Sequence, residues 1–432
     1  MNKSDKVEFR AVLYDAKSTA APQLAAMGIT IENGKLIITN PFDSRCSGWQ
    51  TGRDVTDKVA ALQLAELLIP VDRSSGADAY WVDTARLVVA AVAVSLIKTR
   101  GAHWTLRDLF IPLVVDQQKL PAILALSEGN RGLFANIYHD HKHSTSILSE
   151  LSRTLSELLP IVEFWEQSPR RFSLVDFMNS GAVLSLGVFY QGTRALEKIN
   201  RLLFTRLVDL VCAKPAISND LKQADRTIFI LDELPQLGKL PQLNRLLTYP
   251  RAMGGSAILG LQSLVSLEAI HENEVYAILG NCKNIVQLGS NCITSLEWSS
   301  DVFGTQEVMY DSNQSNTSQE SASDPRARGG GASRSHGRTQ QRNTRKVVEP
   351  SDIGSLSPAS PTNGINGFVK TSYGGYRASL NWSHALRMLP VPVTSVPGLM
   401  PHKTLIHDLS PWTEAEMRIY APGFARVAEW TE

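Results

Sequence analysis

TIFILDELPQLGKLPQL, residues 227–243, is the stretch from which the predicted fold is built. Its apolar run, 228–231, is typical of a strand that is covered on both faces in a parallel sheet. The run ends in Asp232 and Glu233, and open α/β sheets bind ligands at this carboxyl edge. Two acids here indicate a nucleotide-hydrolysing site, in which Asp232 holds Mg²⁺ through water and Glu233 orients and deprotonates the attacking water. A strand that simply runs into a polar loop is the alternative.

The segments that follow alternate between strand and helix patterns. Strands are predicted at 257–262 and 284–289, and helices at 240–247, 264–279 and 293–304. Alternation at this spacing predicts right-handed crossovers and an α/β, doubly wound, mostly parallel sheet. Gln262 ends the strand beside the acids, where it could sense the γ-phosphate of a nucleotide. An exposed loop amide is an equally good interpretation of Gln262 alone.

Three segments in this order resemble a known family: LDELPQLGKLPQL (231–243), AILGLQSLVSL (257–267) and YAILGNCKNIVQLGS (276–290). They are similar to the ATPase core of type IV secretion coupling proteins, the TraG/TraD-type conjugative DNA-transfer ATPases, which are related to RecA-like translocases. The resemblance implies that the matching acids act on ATP and Mg²⁺ and that the Gln262 strand couples nucleotide state to movement. It also implies several partners: single-stranded DNA, relaxase proteins, secretion-channel proteins and further copies of the chain in a ring.

Composition describes a soluble globular protein, with 43% hydrophobic and 20% charged residues among 432. The net charge is only +1, so any contact with DNA has to come from local basic patches. The four cysteines show no metal-binding spacing and are expected to be reduced. The longest apolar run, 87–97, is too short to span a bilayer and predicts a core helix. We therefore expect a cytoplasmic chain, and the resemblance implies the cytoplasmic face of the inner membrane.

The first strand pattern, FRAVLYDAKS (9–18), ends in Asp15 and Lys17. These two side chains could face a nucleotide or a neighbouring subunit, and a solvated strand end is the alternative. A helix-like segment and a second strand stretch, 35–50, follow, and a helix is predicted at 55–68. YDAK and NPFD, as they stand here, also resemble the coupling-protein pattern.

The main departure from the family concerns the phosphate loop, GxxxxGK[ST], which should precede YDAK, and the membrane helices expected before it. Neither is found in this sequence. The nearest match begins at Gly187, but Thr193 and Arg194 stand where Lys and Ser/Thr are needed to hold phosphate and Mg²⁺. We therefore predict an ordinary strand there, weak ATP binding and little ATPase activity from this chain alone. Arg194 could still reach a nucleotide across a subunit boundary, as an arginine finger does.

Between the nucleotide-binding parts, helical periodicity replaces the strand signal. The resemblance implies a helical domain involved in recognising DNA and relaxase. The alternating histidines of HDHKH (139–143) predict a solvated loop rather than a metal site. Residues 311–345 contain few apolar side chains, which predicts disorder. The predicted parts are 1–72 (first nucleotide-binding part), 73–165 (all-helical insert), 166–310 (second nucleotide-binding part), 311–346 (disordered polar and basic linker) and 347–432 (strand hairpin and tail).

The leading functional hypothesis is the motor portion of a conjugative coupling protein, which links a relaxase–DNA substrate to the secretion channel and drives single-stranded DNA transfer with ATP. The alternative is a non-catalytic remnant or a substrate-docking adaptor of the same system. The absent phosphate loop keeps both open.

Overall fold

The computed structural model describes residues 10–70, 79–138, 141–189, 193–213, 226–318, 333–388, 390–404 and 408–422. The chain divides into two compact units. The first consists of Met1–Leu261, Leu267–Asn281 and Pro390–Glu432, and the second of Gln262–Ser266 and Cys282–Leu389.

The strands, numbered in chain order, are β1 (Arg10–Asp15), β2 (Leu36–Ile38), β3 (Ser47–Trp49), β4 (Arg170–Phe172), β5 (Val183–Gly187), β6 (Thr227–Leu231), β7 (Gly255–Leu259), β8 (Ile285–Gln287), β9 (Thr305–Ser318), β10 (Ser333–Lys346), β11 (Ile365–Thr371) and β12 (Gly374–Leu380).

The α-helices are α1 (Ala20–Ala26), α2 (Thr51–Asp54), α3 (Lys58–Leu68), α4 (Ala79–Arg100), α5 (Leu106–Phe110), α6 (Leu120–Ala125), α7 (Arg131–Tyr138), α8 (His141–Leu155), α9 (Leu159–Gln167), α10 (Leu174–Met178), α11 (Thr193–Cys212), α12 (Leu243–Thr248), α13 (Leu264–His271), α14 (Val275–Asn281), α15 (Ile293–Phe303), α16 (Pro350–Gly354), α17 (Trp382–Met388) and α18 (Glu414–Tyr420).

The central sheet of the first unit has the order β2-β5-β1-β6-β7, and every neighbouring pair is parallel. This confirms the predicted α/β, RecA-like, mostly parallel sheet. β1 is the middle strand, with Asp15 opposite Gly187 of β5 and Tyr14 opposite Leu231 of β6. Because all five strands run the same way, their carboxyl ends meet at one edge, and this edge carries the candidate site.

Both faces of the central sheet are covered by apolar side chains at β1, β2 and β5, whereas Ile258 of the edge strand β7 is 60% exposed. On one face, Ala11 of β1 joins a small cluster with Leu36, Ile38 and Val183, against which Leu24 of α1 packs. On the other face, Val12 and Tyr14 enter the large core shared with the helices. Side chains alternate along a strand, so neighbouring residues of β1 serve opposite layers. This explains why the sequences of β1, β2 and β5 are largely apolar.

An all-helical excursion, α4 to α9, separates β3 from β4, as predicted for the insert. Its core is built by helical spacing, since Ile147, Leu151 and Leu155 are each completely buried. Thr105 caps α5 through a reciprocal capping box with Asp108, which satisfies helix N–H groups that lack intrahelical partners. The excursion shares one continuous apolar core with the sheet face that contains Tyr14.

Among the described residues, one helix, Tyr80–His103, is long and apolar enough to cross a membrane. Within its most apolar window, 56% of the residues are buried inside the protein. Val88, Val89 and Val92 are completely enclosed. A core helix passes the same length and composition test, and packing of α4 against α3 and α8 accounts for its apolar character.

One strand lies in a different sheet from the predicted one. Residues 284–289 do form a strand, β8, but its placement in the parallel sheet is wrong: β8 pairs antiparallel with β11, with Gln287 opposite Phe368. In the second unit Phe368 packs with Val348 and Ile353, and this local apolar cluster accompanies the pairing. The predicted hairpin at 368–382 is confirmed as β11 and β12.

The prediction of disorder for residues 311–346 also differs from the structure. β9 and β10 pair in an antiparallel ribbon, from Lys346 opposite Thr305 to Ser333 opposite Ser318. The composition predicted disorder because these residues can bury little apolar surface. The hydrogen bonds of a strand pair, however, are formed by backbone groups alone and need no apolar side chains. Residues 319–332 lie outside the described part of the chain.

Candidate functional site

Asp232 and Glu233 follow β6 directly and lie at the carboxyl edge of the central sheet. Leu231, the last residue of β6, is paired with Tyr14 of β1, so the two acids emerge beside the end of the middle strand. Asp232 is exposed, whereas Glu233 is only 9% exposed. An exposed carboxylate suits a hydrated metal ion, and a buried one, held in place by its surroundings, suits the positioning of a water molecule.

The backbone of Glu233 is in the left-handed region, with φ 59° and ψ 51°. A residue with a side chain pays about 1–2 kcal/mol for this conformation. Two backbone hydrogen bonds hold the turn: Leu234 N donates to Gly260 O at 2.8 Å, and Gln236 N donates to Glu233 O at 2.9 Å. Strained residues of this kind cluster at functional sites, where the surrounding structure dictates their geometry.

The segment after the acids is anchored by leucines at every third position. Leu234, Leu237, Leu240, Leu243 and Leu246 are at most 3% exposed and belong to the large core. This spacing is visible in the sequence LPQLGKLPQLNRLL, although a repeat of three residues matches neither the two-residue period of a strand nor the 3.6-residue period of a continuous helix. The anchoring makes the acidic turn a rigid extension of the core rather than a mobile loop.

Gly260, immediately after β7, lets that strand approach the acids closely. Its N–H donates to Leu231 O at 2.9 Å. A Cβ at this position would lie 3.0 Å from Oδ1 of Asp232 and 3.5 Å from the backbone nitrogen of Glu233. The absence of a side chain at 260 therefore sets the position of the Asp232 carboxylate.

Replacing Gly260 with Ala is expected to lower the free energy of unfolding by about 1–3 kcal/mol, because the new methyl group overpacks the acidic turn. Gly280→Ala is the matched control: a Cβ on Gly280, inside α14, meets nothing within 4 Å. That change should stabilise the protein by about 0.4–1 kcal/mol. Urea denaturation followed by circular dichroism measures both. Equal effects of the two changes would show that the close approach at Gly260 has no energetic consequence.

A third carboxylate, Glu197 of α11, lies near the acids, and the sequence patterns did not single it out. Burial raises the pKa of the Tyr14 hydroxyl, and the negative charges of Glu197 and Glu233 raise it further, which places both within electrostatic reach of Tyr14. Gly238, with φ 68°, leaves room for the Glu197 carboxylate, whose Cδ would lie 2.9 Å from a Cβ there. The available sequence signal was the glycine at 238, a residue that tolerates a positive φ without strain.

Asp15 has a structural role at the same edge. Its two carboxylate oxygens accept hydrogen bonds from Thr19 N and Ala20 N, both at 2.9 Å, at the start of α1. A cavity of about 20 Å³ lies between Asp15, Ser18 and Gly398. Such a volume holds about one water molecule and no nucleotide. The nucleotide-facing role of Asp15 remains a prediction, as does that of Lys17, which is exposed in the turn after β1.

The near-match to a phosphate loop begins at the end of β5. Gly187 closes this strand, and its carbonyl accepts a hydrogen bond from Asn200 Nδ2 at 2.9 Å. Residues 190–192 lie outside the described residues. Arg194 is exposed in the first turn of α11, and its role as a finger towards another subunit remains a prediction.

Gln262 is exposed and lies three residues after the end of β7. It belongs to the second compact unit, whereas the acids belong to the first. Its role as a γ-phosphate sensor remains a prediction.

The residues present fit one wall of a magnesium–nucleotide site. An exposed carboxylate oxygen at Asp232 is the hard ligand that Mg²⁺ prefers, and this ion usually takes only one or two protein carboxylates and completes its shell with water and phosphate. In the part of the chain that the structure describes, no group of three or more His, Cys, Asp or Glu residues could form a metal centre by itself.

Solved structures of a conjugative coupling protein share this fold. The unbound form of TrwBdeltaN70 aligns with a TM-score of 0.61 and 19% sequence identity over 92% of this chain and 88% of that one. TrwB in complex with ADP and Mg²⁺ aligns with a TM-score of 0.61 and 18% identity over 93% of this chain and 90% of that one. At this level of identity the likeness establishes the fold.

Sequence comparison gives the family. Coupling protein TraD from Escherichia coli (strain K12) is 24% identical over 261 residues, which make up 57% of this chain and 34% of TraD, so the chain spans about a third of that relative. The model of the type IV secretion-system coupling protein DNA-binding domain matches residues 3–377. This match covers most of the chain and includes both acids, the helical excursion and the central sheet. The chain therefore belongs to the family of the type IV secretion-system coupling protein DNA-binding domain.

Proposed function

We propose that this chain is the motor portion of a conjugative coupling protein, which joins a relaxase–DNA substrate to the secretion channel and drives single-stranded DNA transfer with ATP. The observation that carries the proposal is the pair Asp232 and Glu233 at the carboxyl edge of a RecA-like sheet, one exposed and the other buried on a strained, anchored turn. Family membership and the nucleotide-bound TrwB structures support it.

In this proposal each acid has a separate task. Asp232 would hold Mg²⁺ through water molecules, and the bound ion would neutralise charge on the phosphates. Glu233 would orient a water molecule and accept its proton at the carboxylate. The core-anchored leucines after Glu233 would keep this carboxylate fixed while the proton moves. Gln262, Asp15, Lys17 and Arg194 would complete the site as sensor, strand-end groups and subunit-bridging finger.

The proposal also includes the binding partners of the protein and its location in the cell. Single-stranded DNA, relaxase proteins and channel proteins would be the partners, and copies of the chain would assemble into a ring at the cytoplasmic face of the inner membrane. The predicted parts 1–72, 73–165, 166–310, 311–346 and 347–432 are retained as proposed boundaries.

A second candidate is a substrate-docking adaptor without catalysis, favoured by the lack of a GxxxxGK[ST] motif in these residues. Such a motif supplies the Lys and hydroxyl that hold the phosphates and Mg²⁺. The two candidates differ in whether the acids turn over ATP in a protein that has a phosphate loop. Replacement of Glu233 in such a protein decides between them.

The chain 1–432 by itself is expected to bind MgATP weakly and to hydrolyse it negligibly, because the acids form only one wall of the site. Fluorescent nucleotide titration and phosphate release measure the two properties. Robust turnover that disappears in Glu233→Gln would contradict this expectation and show that another segment of these residues holds the phosphates.

A further inference from the structure

After the second unit the chain returns to the first, where its residues from Pro390 onwards belong. Residues 390–404 and 408–421, which we call the strap, contact the central-sheet part first and the helical excursion afterwards. None of residues 390–404 is buried, whereas Trp412 and Tyr420 are 5% and 0% exposed. The near half of the strap, 390–404, is therefore held mainly by polar contacts, and the far half, 408–421, by apolar burial.

The near half of the strap lies against the turn that follows β1. Gly398 approaches this turn so closely that a Cβ on it would lie 3.5 Å from Cα of Thr19 and would meet the carbonyl oxygen of Ser18. Ser18 has a positive φ, 52°, which a residue with a side chain adopts only when its surroundings impose it. Val393 N donates to Pro22 O at 3.1 Å, in the first turn of α1. The strap thus contacts the strand end at which nucleotide-facing side chains are predicted.

Arg45 clamps the middle of the near half. Its guanidinium donates to Pro397 O at 2.8 Å and to Gly398 O at 2.9 Å. Next to it, Ser44 N donates to Met400 O at 2.7 Å. All three acceptors are backbone carbonyls of the strap, so the clamp depends on the path of the strap and not on its side chains.

His402 joins the near half to the helical excursion. Its Nε2 donates to Pro41 O at 3.0 Å, in the NPFD segment. Its ring packs on that of Phe164 in α9, with the ring centroids 4.5 Å apart. Phe164 is 1% exposed and belongs to the large core. One side chain of the strap thereby contacts both the NPFD segment and the excursion.

The far half docks on the excursion through one arginine and two aromatic rings. Arg107 of α5 donates to Ser410 O at 2.8 Å and to the Glu416 carboxylate at 3.2 Å. Trp412 and Tyr420 enter the large core, with their ring centroids 4.8 Å apart. The helix that carries Glu416 and Tyr420, α18, has only seven residues. A helix of this length is not stable by itself, so α18 depends on its docking.

We propose that the strap is a latch, which holds the turn after β1 and the helical excursion in one arrangement and is released as a whole. Segments with few buried apolar contacts open at a low free energy, and the near half has no buried side chain. The near half therefore stays in place only while the far half is docked. Release would free the Ser18 turn and Arg107 together. This device goes beyond the proposed function and requires no nucleotide.

Hydrogen–deuterium exchange of the whole chain without nucleotide, read by mass spectrometry with residue-level fragmentation, tests the latch. The reporters are the amides of Ser44 and Val393, whose hydrogen bonds cross between the near half and the rest of the unit. Trp412→Ala removes an anchor of the far half, and Glu416→Gln is a milder change at the same end. The control is Phe204→Ala, which removes a completely buried ring that packs on Phe229 of β6.

Trp412→Ala should raise the exchange rate of both reporters at least about tenfold, because the loss of a large buried side chain undocks the far half. Glu416→Gln should raise it about two- to fivefold, since a partly exposed ion pair contributes less. Phe204→Ala should leave the reporters near the wild-type rate, because they exchange through release of the strap and not through global unfolding.

Two results would overturn the proposal. If Trp412→Ala speeds exchange in α18 but leaves both reporters unchanged, the two halves of the strap move independently. If Trp412→Ala and Phe204→Ala raise the reporter rates equally, the reporters follow global stability and no latch exists. Should Trp412→Ala fail to fold, the same comparison with Glu416→Gln decides. None of these results bears on ATP hydrolysis, so the proposed function stands or fails separately.

Discussion

Glu233→Gln is expected to lower the rate of MgATP hydrolysis by about 10²- to 10⁴-fold in a coupling protein that contains this chain together with a phosphate loop. Gln keeps the size and the left-handed backbone of the turn but cannot accept the proton of the attacking water. MgATP affinity should change little, because Asp232 is untouched. Phosphate release and plasmid transfer frequency should fall together.

Glu272→Gln is the control for this prediction. Glu272 is an exposed glutamate that also has a positive φ, 48°, so the change removes the same charge from the same kind of backbone. Its neighbour Lys239 is 3.9 Å away and half exposed, and such a contact contributes little. If the Glu233 and Glu272 variants hydrolyse ATP at equal rates, Glu233 is not the general base. The hypothesis of a substrate-docking adaptor is then favoured.

Asp54→Ala is expected to lower the free energy of unfolding by about 3–5 kcal/mol, because four donors lose a charged acceptor at once. Asp54 is 5% exposed. Its carboxylate accepts hydrogen bonds from Trp49 Nε1 at 2.5 Å, Ser173 Oγ at 2.7 Å, Leu174 N at 2.7 Å and Val175 N at 3.0 Å. Removing it leaves these buried donors without an acceptor at the start of α10.

The Asp54 network joins the two ends of the helical excursion, since Trp49 closes β3 and Ser173 follows β4. Asp57→Ala provides the comparison a few residues away. Asp57 caps α3 through one hydrogen bond to Ala60 N at 2.9 Å, and losing such a cap costs about 1 kcal/mol. Urea denaturation measures both variants, and similar losses would show that the Asp54 network is not what ties the excursion to the sheet.

Some of the site could be predicted because its signals are local. The apolar run of β6 predicts a strand inside the sheet, and Asp232 and Glu233 follow it without interruption, so their place at the carboxyl edge depends only on strand direction. The helical periodicity of Ile147, Leu151 and Leu155 is local in the same way, because a single helix presents them on one face.

Other features depend on contacts between residues far apart in sequence. Glu197 approaches Tyr14 because α11 packs into the large core that Tyr14 enters. β8 joins β11 rather than the central sheet, although its sequence suits either. The local sequence pattern predicts which segments become strands and helices and which segments carry charge. Which strands pair, and which distant side chains meet at the acidic edge, is decided by tertiary packing, because the free energy of those contacts arises only when the separate elements are brought together.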